Sequence, residues 1–328
     1  MATPHSQEAP GAQRRARRNL GWLVVLLVGA VVWVIGAAIT AATNDDILVP
    51  TLILVGSFLM PLCMVMFALT REGEDELPHD KILLAFLLGG SVAVVGSAYL
   101  EVRLVPSSTG TFLTVGLIEE LTKALILVIV AWPMTTRRPR DGMVLGATVG
   151  AGFAAFESAG YAFAAMMHHQ DDHPVLQILQ TEISRALWAP FMHITWTALF
   201  GGALFAAARA DGRFRLTWPL AGTTLGVILM HGVWDQCYGW AILVTKGLRG
   251  QGWTLEWPNT EAWVGAPTEW ELFTFNVVYD ALLLVIASIG VWWIIHNWRK
   301  YGAAASAAEH EARLPSEGPD AVTPRAGT

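Results

Sequence analysis

An apolar run from about Thr111 to Trp132 carries Glu119, Glu120 and Lys123 near its middle. The run is long enough to cross a hydrocarbon core of about 30 Å. Each ionised side chain near the centre of such a helix costs about 2.5–3.5 kcal/mol on insertion scales. A chain that keeps three of them there must supply partners, a polar cavity or a chemical use. Lys123 stands at i+4 from Glu119 and i+3 from Glu120, so it can neutralise either carboxylate within the helix. One carboxylate is then left over for chemistry.

The rest of the chain is apolar in the same way. Of its 328 residues 54% are hydrophobic and only 15% charged, and the apolar runs recur along its length. Backbone polar groups in lipid are satisfied only within helices or closed barrels. The expected fold class is therefore all-α, a polytopic membrane protein with about eight transmembrane helices. The spans are expected near 20–42, 47–69, 81–100, 111–133, 142–167, 183–208, 216–243 and 272–298. Residues 1–19 read as a basic tail, 20–300 as the transmembrane domain with the site region at 111–243, and 301–328 as a disordered tail rich in Ala, Glu, Pro and Gly. The first apolar segment lacks a small-residue cleavage site and is expected to stay as an anchor. Cys63 and Cys237 both lie in apolar runs and give neither a disulfide framework nor a thiolate metal spacing.

Lysine and arginine orient such a bundle. Arg14, Arg15, Arg17 and Arg18, then Arg71 with Lys81, Arg137/Arg138/Arg140, Arg209/Arg213/Arg215 and Arg299/Lys300 fall on alternate loops. The opposite loops hold Arg103, Lys246 and Arg249. Both termini are expected in the cytoplasm of a multi-pass cell-membrane protein. The outer tract His168-His169-Gln170-Asp171-Asp172-His173 has a metal-binding composition, but a surface cluster with nothing to fix its geometry reads first as a solvated loop. Residues 245–271, with Trp253, Trp257, Trp263 and Trp270, read as an aromatic belt or a lid over the bundle.

Five spans carry ionisable residues away from their ends, the last of them with Asn276 and Asp280. Besides the first trio there are Glu157 with Tyr161 at i, i+4, then His193, then His231 with Asp235 at i, i+4. At 1.5 Å per residue, Glu119, Glu157, His193, His231 and Asp235 fall within roughly 6 Å of one level, about 12–18 Å below the outer surface. Each alone has a plainer reading: a structural ion pair, a packing carboxylate, a satisfied core histidine, a hydrogen-bonded pair. Asp280 has no such depth match and reads as structural. Gly89, Gly90, Gly146, Gly150 and Gly152 read as close helix packing. Together, two imidazoles and a carboxylate with an open position suit catalytic zinc, and a further carboxylate supplies a general base. That is a metallohydrolase constellation, with a divalent metal, Zn2+ first, as cofactor.

Glu-Glu-x-x-Lys in one span, Phe-Glu-x-x-x-Tyr in the next, His193 in a third and His-x-x-x-Asp in a fourth resemble the PrsW family of intramembrane metalloproteases. That family is related to the type II CAAX prenyl endopeptidases and the Abi proteins. The resemblance covers about residues 115–240. It implies an intramembrane endopeptidase acting on membrane-anchored protein substrates, anti-sigma factors being the best-known kind, with the bilayer and no nucleic acid as partners. It carries Glu119 and Glu120 onto the paired glutamates, Glu157 onto the second motif, His193 onto the third and His231 with Asp235 onto the fourth. In the related endopeptidases the first glutamate of the pair activates water, which implies Glu119 as base and leaves Glu120 to Lys123. The metal ligands so implied are Glu157, His193, His231 and Asp235, with Tyr161 in support. No His-Glu-x-x-His, Gly-x-Gly-Asp or Gly-x-Ser-Gly occurs, so the zincin, presenilin-like and rhomboid-like classes fit less well, despite the Tyr279-Asp280 pair. Two rivals stand beside the protease. An ion- or proton-coupled transporter would show repeated halves with broken helices, and none is visible; an inactive scaffold is separable only by activity. Substrate identity and oligomeric state are not written in the sequence.

Overall fold

The computed structural model describes residues 10–43, 46–71, 77–105, 111–135, 137–168, 174–209, 211–250 and 267–313. They fold as helices: α1 (Pro10–Thr43), α2 (Val49–Leu69), α3 (His79–Leu88), α4 (Val94–Leu104), α5 (Thr111–Ala131), α6 (Pro139–His168), α7 (Pro174–Trp188), α8 (His193–Ala206), α9 (Trp218–Leu248) and α10 (Glu269–Arg313). Among the described residues there is no strand, only one isolated bridge from Ala208 to Phe214. The chain is an all-α polytopic membrane protein. Six of its helical stretches are long and apolar enough to span a bilayer. α5 and α9 are not among them on composition, and these two carry Glu119/Glu120/Lys123 and His231/Asp235 at mid-length.

Two of the expected spans are interrupted. Between α3 and α4 the chain makes a π-helical turn over Gly89–Ala93. Between α7 and α8 it makes a 3-10 turn over Ala189–Phe191. Pro190 has no N–H for the helical ladder, and its carbonyl accepts from Thr195 Oγ1 at 2.7 Å. The span expected over 183–208 is built from two helices: α7 ends at Trp188, and His193 opens α8. Irregular backbone at membrane depth is tolerated only when protein covers it; Ala189 and Pro190 are buried. The expected tails differ too. α1 begins at Pro10 and α10 runs on to Arg313, while residues 314–328 lie outside the described residues. So do Trp253, Trp257 and Trp263 of the expected lid, and residues 169–173 of the histidine tract.

α6 is the axis of the bundle. Its Gly142, Gly146 and Gly150 face Gly201, Thr197 and His193 of α8, whose carbonyl oxygens occupy the space a Cβ would need. Three glycines at a spacing of four make one flat stripe, which lets two backbones approach closely. On its opposite side Gly152 meets the Phe86 carbonyl and Gly90 of the third span. Outward-facing side chains such as Leu27, Val31 and Ile35 of α1 and Leu284, Val285 and Trp292 of α10 are apolar and exposed, the surface that hydrocarbon requires. The glycine stripe therefore sets where His193 stands.

Candidate active site

Lys123 is fully buried on α5, and its ammonium is the hub of the site. Nζ donates to Glu120 Oε1 at 2.7 Å and to Glu119 Oε2 at 3.2 Å, and lies 2.8 Å from His193 Nδ1. It also stands 4.0 Å from the centroid of the Phe153 ring of α6, a geometry that favours a cation. Lys123 thus holds both glutamates, where the sequence reading assigned it Glu120 alone. Gly116, one turn before the glutamates, lets α9 come close: a Cβ there would lie 3.2 Å from His231 Cβ.

The two imidazoles enter from α8 and α9, with ring centroids 5.4 Å apart. His231 Nδ1 lies 2.8 Å from Glu120 Oε1. A ring N–H committed to a carboxylate leaves the other nitrogen with its lone pair outward. That nitrogen, Nε2, lies 3.6 Å from Glu119 Oε2 and 3.5 Å from Asp235 Oδ2. His193 Nδ1 is 3.9 Å from Glu119 Oε2, and its Nε2 is 3.0 Å from Glu157 Oε2. The approach of Glu157 is not aligned as a hydrogen bond, so His193 Nε2 is a buried ring nitrogen without one among the described residues. Trp196, fully buried, packs against both rings, at 6.1 Å from His193 and 5.0 Å from His231.

Glu119, His193 and His231 each offer a donor atom, and these atoms lie within 4.8 Å of one another. A tetrahedral zinc with bonds of about 2.0–2.2 Å holds its ligand atoms about 3.3–3.6 Å apart, so the widest separation here closes by up to about 1.5 Å through side-chain rotation. The residues fit a divalent metal on the convergence of these donor atoms and on His193 Nε2, which makes no hydrogen bond among the described residues. Coordination through Nε2 would need a proton on Nδ1, which lies 2.8 Å from the Lys123 ammonium, so Lys123 would then have to bond the two glutamates alone.

The fold brings Glu119, Glu120, Lys123, His193 and His231 together in this cluster. Glu157 and Asp235 flank it, each against one imidazole. Tyr161 stands outside, half exposed, one turn beyond Glu157. Asp280 is exposed on α10. Arg185, absent from the sequence reading, is the addition. It comes from α7, pairs with Glu157 and donates from Nε to Ser158 Oγ at 2.8 Å. A guanidinium close to the start of an apolar span was the signal that could have found it. Glu101 of α4, one residue past the expected end of the third span, has a buried Oε1 with no hydrogen-bond partner among the described residues.

Residues 77–255, more than half of the chain, match the sequence profile of the PrsW family intramembrane metalloprotease. No curated protein and no solved structure matches the chain. The matched stretch runs from the start of α3 to just beyond α9 and so contains every residue of the cluster. The chain belongs to the PrsW family of intramembrane proteases.

Proposed function

We propose that this protein is a metal-dependent intramembrane endopeptidase that hydrolyses peptide bonds of membrane-anchored protein substrates. The observation that carries the reading is the buried convergence of Glu119, His193 and His231 from three helices. His193 and His231 would hold the metal, with Glu157 and Asp235 as the flanking carboxylates, and zinc suits this donor set. A bound zinc supplies Lewis-acid polarisation and makes water a nucleophile near neutral pH. Glu119 faces the same centre and takes the proton of the attacking water, and a base must lie within hydrogen-bond reach of that proton. Glu120 orients His231 through Nδ1 and, with Lys123, balances the charge of the pair. Burial by Trp196 and Phe153 keeps bulk water away and strengthens each of these contacts.

The orientation proposed from the basic loops, with both termini cytoplasmic, has support in how those residues pack. Arg137 caps the end of α5 through the carbonyls of Ala131 and Trp132 and lies 4.2 Å from the Phe214 centroid. Arg140 donates to the Trp298 carbonyl. The end of α5, Trp298 of α10 and the segments before α6 and α9 therefore meet on one side. Anti-sigma factors are the substrate class to which the resemblance points.

The test is cleavage of a quenched fluorescent single-span peptide in the same micelle. Glu119→Ala, His193→Ala and His231→Ala should each abolish it while the protein stays folded. The double variants should be no worse than the singles, because residues serving one step cannot each lose the full rate. A His193→Ala protein that cleaves normally would remove that residue from the centre.

A further inference from the structure

Arg185 is held at three points, all within little more than one turn of α6. Its guanidinium pairs with Glu157, its Nε donates to Ser158 Oγ at 2.8 Å, and its carbon centre stands 4.7 Å from the centroid of the Tyr161 ring. Glu157 turns the same oxygen, Oε2, toward Arg185 and toward His193 Nε2. The segment Phe156-Glu157-Ser158-Ala159-Gly160-Tyr161 is thus a cradle for an arginine as much as a source of a carboxylate. One turn back on α7, Glu182 is itself buried, accepting from Trp33 Nε1 of α1 at 2.6 Å and from Ser57 Oγ of α2 at 3.1 Å. α7 is fixed at one residue to the outer helices and at the next turn to the centre.

We propose that Arg185 is a positioning residue of the catalytic centre: seated on Glu157, Ser158 and Tyr161, it holds the Glu157 carboxylate against His193. The inference rests on the reading of Glu157 and His193 as metal-site residues. A planar fork suits the role, because it can serve a carboxylate and a hydroxyl together while its face rests on a ring. A lysine ammonium is a point charge and cannot do all three. Tyr161 acts in this arrangement through its ring, which explains why a residue so exposed stands beside a buried centre.

The experiment measures Zn2+ affinity by chelator competition, kcat and KM on the single-span peptide, and melting temperature, for the full chain in detergent. Arg185→Gln should weaken zinc binding and lower kcat by about 10–100-fold, the usual effect of losing a partner that orients a ligand, with KM unchanged. Arg185→Lys should keep the fold and the same loss. Guanidinium added to Arg185→Gly should restore turnover where ammonium does not, and Tyr161→Leu should lose more than Tyr161→Phe. Zinc affinity and kcat of Arg185→Gln equal to wild type, or full activity of Arg185→Lys, would overturn the proposal. If Arg185→Gly does not fold, Arg185→Lys decides. A wild type that binds no zinc, with Glu119→Gln cleaving normally, would instead overturn the reading of the centre itself, and guanidinium rescue reads the Arg185 role apart from that.

Discussion

At the scale of single residues, the paired glutamates are separable because they touch different partners. Glu119→Gln keeps the shape of the side chain but cannot take a proton, so the variant should retain metal and lose turnover. Loss of the metal in that variant would make Glu119 a ligand in place of a base. Glu120→Gln should lower the melting temperature by the equivalent of about 1–3 kcal/mol, since Lys123 keeps Glu119 as a partner but loses its shorter contact. It should also weaken metal binding, because Glu120 holds Nδ1 of His231. Adding Lys123→Met should recover part of the stability and none of the metal affinity. The residue types of this cluster were legible from the sequence because charge inside an apolar run is costly and rarely idle. The sharing of Lys123 was not, since i+3 and i+4 permit either pairing equally. Arg185 escaped for another reason: its carboxylate partner is 28 positions away on a different helix.

At the scale of elements, the eight expected apolar stretches all correspond to helical stretches, and their interruptions explain the site. Pro190 and the glycines at 89 and 90 were visible in the sequence, but hydropathy averages over them. It could not show that α8 begins at His193 itself. α5 and α9 also fall outside the stretches that pass as spans, α5 with Glu119, Glu120 and Lys123 inside it, so the signal that marks a span weakens where the chemistry sits. The α6–α8 crossing makes a direct prediction. Gly150→Val would press a side chain onto the backbone at His193. Overpacking of this kind costs about 1–3 kcal/mol or more, and it should displace the imidazole and cut turnover. Gly222→Ala on α9, with no atom near its Cβ position, should leave both stability and cleavage unchanged or slightly raise stability. Equal behaviour of the two variants in melting and peptide cleavage would contradict the close crossing as the element that seats His193.

At the scale of the whole molecule, orientation and chemistry are linked by depth. With both termini cytoplasmic, the cluster is expected near mid-depth of the bundle, with Arg185 and Asp235 as its partly exposed members and Tyr161 beside them. Labelling of Gln170→Cys and Gln251→Cys from outside intact cells should succeed, while Arg138→Cys is reached only after permeabilisation. The reverse pattern would invert the molecule and require a substrate cut near the cytoplasmic face. The central claim is that one buried centre binds a metal and that cleavage depends on it. It is tested most directly by measuring metal content per chain beside peptide cleavage, for wild type and His231→Ala purified in parallel. The account predicts about one zinc per wild-type chain, little or none in His231→Ala, and activity lost to a chelator and regained with zinc. Wild-type protein that cleaves at full rate with no bound metal would contradict it, and would leave Lys123 as the only cation among Glu119, Glu120 and His193 in the described residues.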